Sequence, residues 1–471
     1  MDKGKDELKF DNLGKENYNF VTKAKYPHVF EPGLSREVVE EISEIKKEPE
    51  WMKRLRLKSY EIFISKPMPN WGPPLDIDFD KIRYYVLPDE IKARKWEELP
   101  EEIRKTYEIL GVPEAERKYL SGTVAVLDSE GVYYNIKKNL EEKGVIMMDM
   151  DSALKKYPDI IKQYFMQLVP PSDNKFAALN GAVWSGGTFI YVPENVKIDL
   201  PLMAYFRMNM VSEGQFEHTI IIAEKNSYVS YIEGCTAPIY NENSLHSAVV
   251  EVYVKEGAHV KFTTVQNWSK DIYNLNTERA KVEKNGRIEW VGGSLGSKVT
   301  MLYPSSYLVG ENASSSNLNI SFASDGTWKD NGAKVLHLAP NTSSKIISKS
   351  ISMKGGVSVY RGLVRVNKGA VNSKSHTQCD TLILDDQSTN YTFPHNEVLE
   401  NSATVTHEAS AGKIGEEQLF YLMSRGLSED ESRALIVLGF LDDVMKEIPL
   451  EFSIELNRLI RVKLKELGGT G

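Results

Sequence analysis

The sequence predicts a mainly β protein, a right-handed parallel β-helix core flanked by helical N-terminal and C-terminal regions. Helical periodicity is nearly absent from Lys175 to about residue 412, where short β-rich runs alternate with Gly, Asn and Pro. A polar turn recurs there in steps of 31, 28, 27, 29, 28 and 32 residues, centred on Asn226, Gly257, Asn285, Asn312, Asn341, Gly369 and Asn401. A coil of about 28 residues fits two short strands and two turns. Stacked coils pair their strands in parallel, and such crossovers are usually right-handed.

Three parts are predicted along the chain: a mixed, largely helical region at 1–170, the β-helix at 171–412, and a helical domain at 413–471. In the first part, residues 36–63 have helical apolar spacing that Pro49 interrupts. A second helical pattern covers 99–112, and 149–169 return to helical spacing. Between them, 121–136 alternate like a β-hairpin.

The C-terminal part is predicted to contain three helices. The first ends at Gly426, and Ser428 with Glu431 forms a capping box that begins the second. Pro449 begins the third. The second helix carries an apolar run from Ala434 to Leu441, which is too apolar for a free surface helix. This helix therefore either caps the solenoid or docks another subunit, and the sequence does not decide between the two.

Composition limits the classes of function. The formal charge of −8 disfavours non-specific binding to nucleic acid or to anionic membranes, which needs basic patches. The two cysteines cannot form a disulfide framework, which indicates a reducing compartment. The first residues have no apolar stretch typical of a signal peptide, and the chain has no long apolar run. We therefore expect a cytoplasmic protein with neither a nucleic-acid nor a membrane partner.

The segment 372–408 concentrates residues that can bind metals. It contains His376, Cys379, His395, His407 and Glu408, and thiols, imidazoles and carboxylates are ligands of transition metals. Cys379 and His407 are 28 residues apart, about one coil, so we expect them on adjacent coils. Strict register would stack the two side chains within about 5 Å, whereas the turn markers give an offset of about four residues, or about 13 Å.

The ligand set in this segment would be open. If His407 and Glu408 both lie in a strand, they point to opposite faces. An incomplete set suits a transient metal site better than a closed structural one. The alternative is that Cys379 is a small buried apolar residue, as most free cysteines are.

The other thiol, Cys235, follows a strand and precedes Pro238. It is either a packed core residue or a sulfur-carrying thiol. Strand positions nearby carry polar or aromatic side chains that either line a partly polar interior or face solvent: Arg207, Asn209, Thr264, Gln266 and Trp268. The chain has no CxxC, HExxH, Gly-x-Ser-x-Gly or phosphate-loop motif.

Longer motifs carry a resemblance to a family. FAALNGAVWSGGTFIYVP, QFEHTIIIAE, YIEGCTAP, HSAVVEVYVKEGA, HTQCDTLIL and THEASAGKIGEEQLFYLMSRGLSEDESRALIVLGF resemble SufB, the scaffold subunit of the SUF iron–sulfur cluster assembly system, in the SufB/SufD family. The resemblance covers roughly residues 120 to 470. It implies a β-helix with helical flanks, and a scaffold that is not itself an enzyme.

The resemblance also implies partners and site residues. A SufC-type ABC ATPase is expected on the C-terminal helices, and the SufD paralogue or a second SufB on the β-helix. Sulfur is expected from a cysteine desulfurase through a SufE- or SufU-type carrier. By motif match, the site residues are the sulfur acceptor Cys235, the cluster-assembly residue Cys379, the further ligands His407 and Glu408, the interior route Arg207, Asn209, Thr264, Gln266 and Trp268, and the interface residue His337.

The cargo implied is a transient iron–sulfur cluster, and the sequence leaves open the cluster type, the use of a flavin, and a homo- or heterodimer. Some members of the family carry an N-terminal CxxC segment that this chain lacks, so a cluster here needs His, Glu, a partner or an exogenous thiol. Two rivals remain: a SufD-like subunit without its own cluster chemistry, and a carbohydrate-active β-helix enzyme. The second needs clustered carboxylates, and only Asp385–Asp386 resembles such a pair.

Overall fold

The computed structural model of the chain describes residues 22, 24–87, 92–110, 112–210, 212–237 and 244–446. It is mainly β, with a parallel β-solenoid of about eight turns flanked by N-terminal and C-terminal helices. The predicted fold class is therefore confirmed, while the right-handed sense stays a prediction. No helix among the described residues is both long and apolar enough to cross a membrane.

The N-terminal region mixes helices and strands. Its elements are β1 (His28–Val29), α1 (Arg36–Lys46), α2 (Glu50–Ser65), β2 (Val86–Leu87), α3 (Glu101–Ile109), α4 (Val112–Tyr119), β3 (Gly122–Leu127), β4 (Glu130–Ile136), α5 (Lys138–Glu141), β5 (Ile146–Asp149), α6 (Met150–Lys156) and α7 (Pro158–Tyr164). Pro49 separates α1 from α2, and β3 and β4 form the predicted antiparallel hairpin. Strand β3 also pairs in parallel with the solenoid, so the hairpin closes its N-terminal end.

The sequence predicts β structure from Lys175, but the segment begins as a helix, α8 (Lys175–Val183). The Asn174 side chain caps it by accepting hydrogen bonds from the backbone N–H groups of Phe176 and Ala177. Residues 176–183 are buried on every side, so the sequence shows a continuous apolar run without helical periodicity. Such a run does not distinguish a buried helix from a buried strand.

Two sheets form the walls of the solenoid. The first continues from β3 through β7 (Leu202–Arg207), β10 (Tyr228–Thr236), β13 (His259–Asn267), β15 (Arg287–Leu295), β18 (Ser314–Ala323), β20 (Ser343–Ser352), β22 (Lys374–Ile383) and β24 (Thr404–Lys413). The second continues from β5 through β6 (Thr188–Val192), β9 (His218–Ala223), β12 (Val249–Val254), β14 (Tyr273–Val282), β16 (Val299–Leu302), β19 (Trp328–His337), β21 (Val357–Val366) and β23 (Thr389–Val398). Three short strands also belong to the second sheet, off this path: β8 (Gly214–Gln215), β11 (Leu245–His246) and β17 (Ser305–Leu308).

The recurring turn of the sequence is a ladder of left-handed residues. Asn285, Asn312 and Asn341 have φ angles of 54°, 60° and 58°. Asparagine tolerates this conformation better than most residues. The next member of the ladder is Asn372 (φ 58°), because β20 pairs with β22 in a register that aligns it with Asn341. The predicted marker Gly369 is therefore wrong.

The C-terminal helices are α9 (Glu416–Ser424) and α10 (Glu429–Met445). Gly426 is left-handed between them, and the Ser428–Glu431 capping box is formed. The buried face of α10 packs on the outer face of the first sheet through Ala434, Val437 and Leu441. Leu435 on the same helix is 51% exposed, so the apolar run serves the solenoid on one side only. The third predicted helix lies outside the described residues.

Candidate functional site

Cys379 and His407 are in contact at the C-terminal end of the solenoid. The Sγ atom of Cys379 lies 3.4 Å from Nε2 of His407. Strands β22 and β24 pair Cys379 with Ala409 and Thr377 with His407, so the two residues are offset by two positions. An offset of two keeps both side chains on one face of the sheet. The structure thus differs from both predicted placements, since the offset lies between zero and four.

A third residue, Tyr360 from the second sheet, contacts both Cys379 and His407. Its ring meets the His407 ring edge-on, with centroids 6.0 Å apart. Burial raises the pKa of the Cys379 thiol to about 12, and the hydrogen bond with the Tyr360 hydroxyl opposes this rise. Burial lowers the pKa of His407. The thiol is therefore protonated and the imidazole neutral at pH 7. Sequence analysis did not identify Tyr360, because this residue faces Cys379 across the interior from another sheet.

Glu408 does not join Cys379 and His407. It follows His407 within β24, pairs with Gln378, and is exposed. Successive strand residues point to opposite faces, so its carboxylate lies outside while the imidazole lies inside. The described residues contain no group of three His, Cys, Asp or Glu side chains placed to hold one metal ion. The described part of the chain therefore offers two ligands at this point, Cys379 and His407.

Cys235 lies in the interior near the other end of the solenoid. It is 1% exposed and belongs to the main apolar core. The Gln266 amide donates to its sulfur at 3.5 Å, and the thiol donates to a carboxylate oxygen of Glu233 at 3.8 Å. Burial raises the pKa of this thiol well above its ordinary value. Cys235 thus combines a polar surrounding with exclusion of water.

Gln266 is held in one orientation by its neighbours. Its Nε2 donates to Thr264 Oγ1 at 2.7 Å, and its Oε1 accepts from the Trp268 indole at 2.6 Å. Because the oxygen is occupied by the indole, the amide N–H group faces Cys235. A side chain added at Gly296 would come within 1.7 Å of the Trp268 carbonyl oxygen, so this glycine permits the chain to approach Trp268. Thr264, Gln266 and Trp268 therefore lie together at Cys235, and their part in a sulfur route stays a prediction.

The other two predicted route residues point away from Cys235. Arg207 pairs with Thr236, the residue after Cys235, and donates to the Thr236 hydroxyl at 3.1 Å on the outer face. The Asn209 side chain bonds the backbone of Thr22 and the hydroxyl of Tyr26 in the N-terminal region. Their predicted place in the interior route is therefore wrong. Strand alternation turns Arg207 to the outer face, whereas Asn209 lies two residues beyond the end of β7 and bonds the N-terminal region.

On the inner face of the first sheet, two rows of mostly polar side chains run from the strand of Cys235 to the strand of Cys379. The strand register aligns Cys235 with Gln266, Ser294, Ser321, Ser350 and Thr381. The adjacent row on the same face contains Glu233, Thr264, Gly292, Asn319, Ser348 and Cys379. Five strand steps separate β10 from β22, so the rows span about 24 Å. The sequence did not reveal these hydroxyl and amide side chains, because serines and asparagines in strands usually face solvent.

His337 is not at a surface. The side chain is fully buried, with Nδ1 2.8 Å from Thr342 Oγ1 and Nε2 3.0 Å from Ser344 Oγ. Burial lowers its pKa to about 4. The predicted interface role does not fit this position, because both ring nitrogens are bonded within the chain.

The C-terminal end of the solenoid is open. Among the described residues, β24 ends the first sheet and β23 ends the second, each with a partner strand on one side only. Large apolar side chains are exposed there: Tyr391 (46%), Phe393 (47%), Val398 (45%) and Leu399 (50%). Unpaired strand edges beside exposed apolar residues mark an interaction surface. His407 lies on β24, the last strand at this end, and Cys379 lies on β22, one strand further in.

Comparison with known proteins assigns the family. The SufBD core domain model of the SUF system for iron–sulfur cluster assembly matches residues 206–440, and the SufBD N-terminal region model matches 118–203. A SufBD family iron–sulfur cluster assembly protein of Staphylococcus epidermidis is 54% identical over 92% of this chain and 94% of its own length. Relatives of the same description in Staphylococcus haemolyticus and Staphylococcus saprophyticus are 52% and 53% identical over 97% of this chain and 98% of their own lengths. None of these matches supports the carbohydrate-active alternative. The chain belongs to the SufBD family of iron–sulfur cluster assembly proteins.

Proposed function

We propose that this chain is a SufB-type scaffold that receives sulfur at Cys235 and builds a labile iron–sulfur cluster at Cys379. The observation that carries the proposal is the contact between the Cys379 thiol and the His407 imidazole, 3.4 Å apart at the open end of the solenoid. A thiolate and a neutral imidazole are ligands for iron. The cluster is the cargo of the protein and not a resident cofactor.

The protonation states favour ligation on demand. The Cys379 thiol keeps its proton at pH 7 because burial raises its pKa to about 12. A metal ion that binds a thiol deprotonates it, so iron binding releases this proton. The lowered pKa of His407 leaves its imidazole free to bind a metal without first losing a proton. The site is therefore unreactive when empty and becomes charged only when iron arrives.

Two ligands from one chain hold a cluster weakly. Four cysteines would hold it permanently, whereas a scaffold must release it. Glu408 is exposed on the opposite face of β24, so we propose that it meets iron or a partner from outside rather than beside Cys379. A second subunit or an exogenous thiol would supply the remaining ligands.

The polar rows support an interior sulfur route. A persulfide on Cys235 carries a reactive sulfur that water would expose to side reactions. The serine, threonine and asparagine side chains aligned between Cys235 and Cys379 offer hydrogen bonds to a sulfur anion over about 24 Å. We propose this route with Thr264, Gln266 and Trp268 at its entrance, and without Arg207 and Asn209.

The open surfaces fit the expected partners. The strand edges of β23 and β24 would pair with a second solenoid of the family, either the SufD paralogue or another SufB. Helix α9 exposes Phe420 (74%), Tyr421 (57%) and Met423 (43%), which we assign to a SufC-type ATPase. Because ATP hydrolysis would belong to that partner, we propose that this chain is a scaffold rather than an enzyme. We place it in the cytoplasm and propose that a cysteine desulfurase supplies its sulfur through a SufE- or SufU-type carrier.

The proposal is tested by anaerobic reconstitution of the purified protein with iron and sulfide. We expect Cys379→Ser and His407→Ala to lose most of the visible chromophore and bound iron. His376→Ala is the matched control, because His376 lies on β22 but on the outer face, where it bonds Thr406. Equal iron content in wild type, Cys379→Ser and His407→Ala would refute the site.

The SufD-like role is the other assignment within the family. It predicts that Cys235→Ser and Cys379→Ser leave cluster assembly in the complex unchanged. Sulfur transfer from a desulfurase to this chain separates the two roles, since a SufB-type scaffold must carry sulfur on Cys235 and a SufD-like subunit need not. Persulfide on Cys235, detected by mass spectrometry, therefore favours the SufB-type function.

A further inference from the structure

The interior around Cys235 contains buried ionisable groups to which the sulfur route assigns no role. Glu217, Glu233, His246 and Glu278 are between 0% and 3% exposed. Glu233 lies two residues before Cys235 on the same inward face of β10. Its Oε1 atom is 3.8 Å from the Cys235 sulfur, within reach of a thiol hydrogen bond. Glu233 is therefore the carboxylate in contact with the reacting atom.

A second layer of groups supports this contact. The His246 Nε2 atom lies 2.8 Å from the Glu217 carboxylate, and its Nδ1 lies 2.7 Å from the Asn274 amide oxygen. The His246 ring lies against the Trp268 ring, with centroids 4.5 Å apart. Trp268 in turn holds the Gln266 amide that donates to Cys235. The thiol is thus surrounded by one acceptor, Glu233, and one oriented donor, Gln266.

Sulfur transfer at Cys235 requires a proton acceptor. The thiolate is the nucleophile in sulfur exchange, and burial holds the pKa of Cys235 well above its ordinary value. The thiol is 1% exposed, and the Glu233 carboxylate is the proton acceptor in hydrogen-bond contact with its sulfur. Burial, reinforced by the neighbouring Glu217 carboxylate, raises the pKa of Glu233 to about 7. A base with a pKa near the working pH is the most effective.

We propose that Glu233 is the general base that accepts the Cys235 proton when this thiol takes sulfur from a persulfide donor. The inference rests on the proposed function of Cys235 as sulfur acceptor. The proton moves from Cys235 Sγ to Glu233 Oε1, and the thiolate attacks the outer sulfur of the donor persulfide. The S–S bond of the donor breaks, its thiolate leaves, and a new S–S bond forms on Cys235. No oxidant is needed, because the sulfane sulfur only changes partner.

The other charged groups facing Glu233 set its working range. The Glu217 carboxylate raises the pKa of Glu233, whereas His246 and the Tyr231 hydroxyl, 3.5 Å from Oε2, lower it. Burial, and after it the Glu233 carboxylate, raises the pKa of the neighbouring Glu278 well above its ordinary value. The Gln266 amide then stabilises the thiolate by a charge-assisted hydrogen bond. Base and donor both contact the sulfur, at 3.8 Å and 3.5 Å.

The test uses the full chain carrying Cys379→Ser, in which Cys235 is the only thiol because the protein has two cysteines. We would measure by mass spectrometry how fast Cys235 takes sulfur from glutathione persulfide and how fast it reacts with iodoacetamide, as a function of pH. With Glu233 intact, the rate of both reactions should rise with pH through about 7. Glu233→Gln should slow both by about 100-fold at neutral pH and remove this rise.

Two further variants make the result specific. Glu278→Gln is the matched control, a buried interior carboxyl without a bond to Cys235, and should keep the rise. Glu233→Asp should react more slowly but restore the pH dependence, which a merely structural role would not do. Urea unfolding of each variant identifies any protein that is misfolded. If Glu233→Gln is misfolded, the pH profile of the Glu233→Asp protein tests the proposal instead.

Unchanged rates and pH profiles in Glu233→Gln and Glu233→Asp would overturn the proposal. The proposed function fails separately. If Cys235 never takes sulfur from the persulfide while iodoacetamide still shows the Glu233-dependent rise, then Glu233 is the base of this thiol and Cys235 is not the sulfur acceptor.

Discussion

Acidification should destabilise the solenoid through His337. Its pKa falls from the ordinary value of 6.5 to about 4 in the folded chain, because burial removes the water that would solvate the charged ring. Between these two pKa values, His337 is therefore protonated in the unfolded chain and neutral in the folded chain. The stability is present above pH 6.5 and is lost as the pH falls towards about 4. For these two pKa values the loss between pH 7 and pH 5 is about 2 kcal/mol.

The measurement is urea unfolding followed by tryptophan fluorescence at about pH 7 and about pH 5. Other groups also titrate in this range, among them the buried His218, whose pKa is lowered by burial. The informative quantity is therefore the difference between wild type and His337→Gln, which keeps a polar side chain beside Thr342 and Ser344 but cannot be protonated. We expect the variant to lose about 2 kcal/mol less than wild type on acidification.

Equal losses in wild type and His337→Gln would refute the reasoning, because they would mean that His337 titrates alike in the folded and unfolded chain. A larger loss in the variant would contradict the sign. A variant that is less stable by the same amount at both pH values would show only that the hydrogen bonds to Thr342 and Ser344 contribute to stability.

Three further outcomes are expected. In a Cys235→Ser background, Tyr360→Phe should slow iodoacetamide labelling of Cys379 about tenfold, because a hydrogen bond to the thiolate is worth about 1.5 kcal/mol or more. Asn341→Ala should lower the free energy of unfolding by about 1 kcal/mol, because an alanine is strained at the φ of 58° there, and Asn341→Gly should cost less. Phe393→Asp should weaken association with a second solenoid, measured as molar mass by light scattering, because this 47% exposed ring lies on the open edge.

Each of these has its own control. Labelling rates of the two Cys379 proteins should coincide in urea, and a folded Tyr360→Phe protein that labels as fast as its parent would exclude the hydrogen bond. An Asn341→Ala protein as stable as Asn341→Gly would contradict the strain. For the third, Tyr421→Asp changes another exposed aromatic residue, on α9 (57%), and loss of association there but not at Phe393 would place the interface elsewhere.

Sequence patterns predicted the elements of the fold well because each depends on local chemistry. The helix break at Pro49 and the capping box at Ser428 need only neighbouring residues. The repeated turn predicted the solenoid, since a left-handed residue at each corner is a local requirement. Helix α8 was missed because burial on all sides erased its periodicity.

The sequence alone determined that this chain is a two-sheet β-solenoid with one thiol near each end and histidine near the second thiol. Only the tertiary structure decided which of these residues meet. Side chains alternate faces with a period of two, so an error of one residue in register moves every side chain to the other face. The register of β22 on β24 placed Cys379 and His407 together, sent Glu408 outside, and the opposite sheet supplied Tyr360. The same alternation turned Arg207 away from Cys235 and Glu233 towards it.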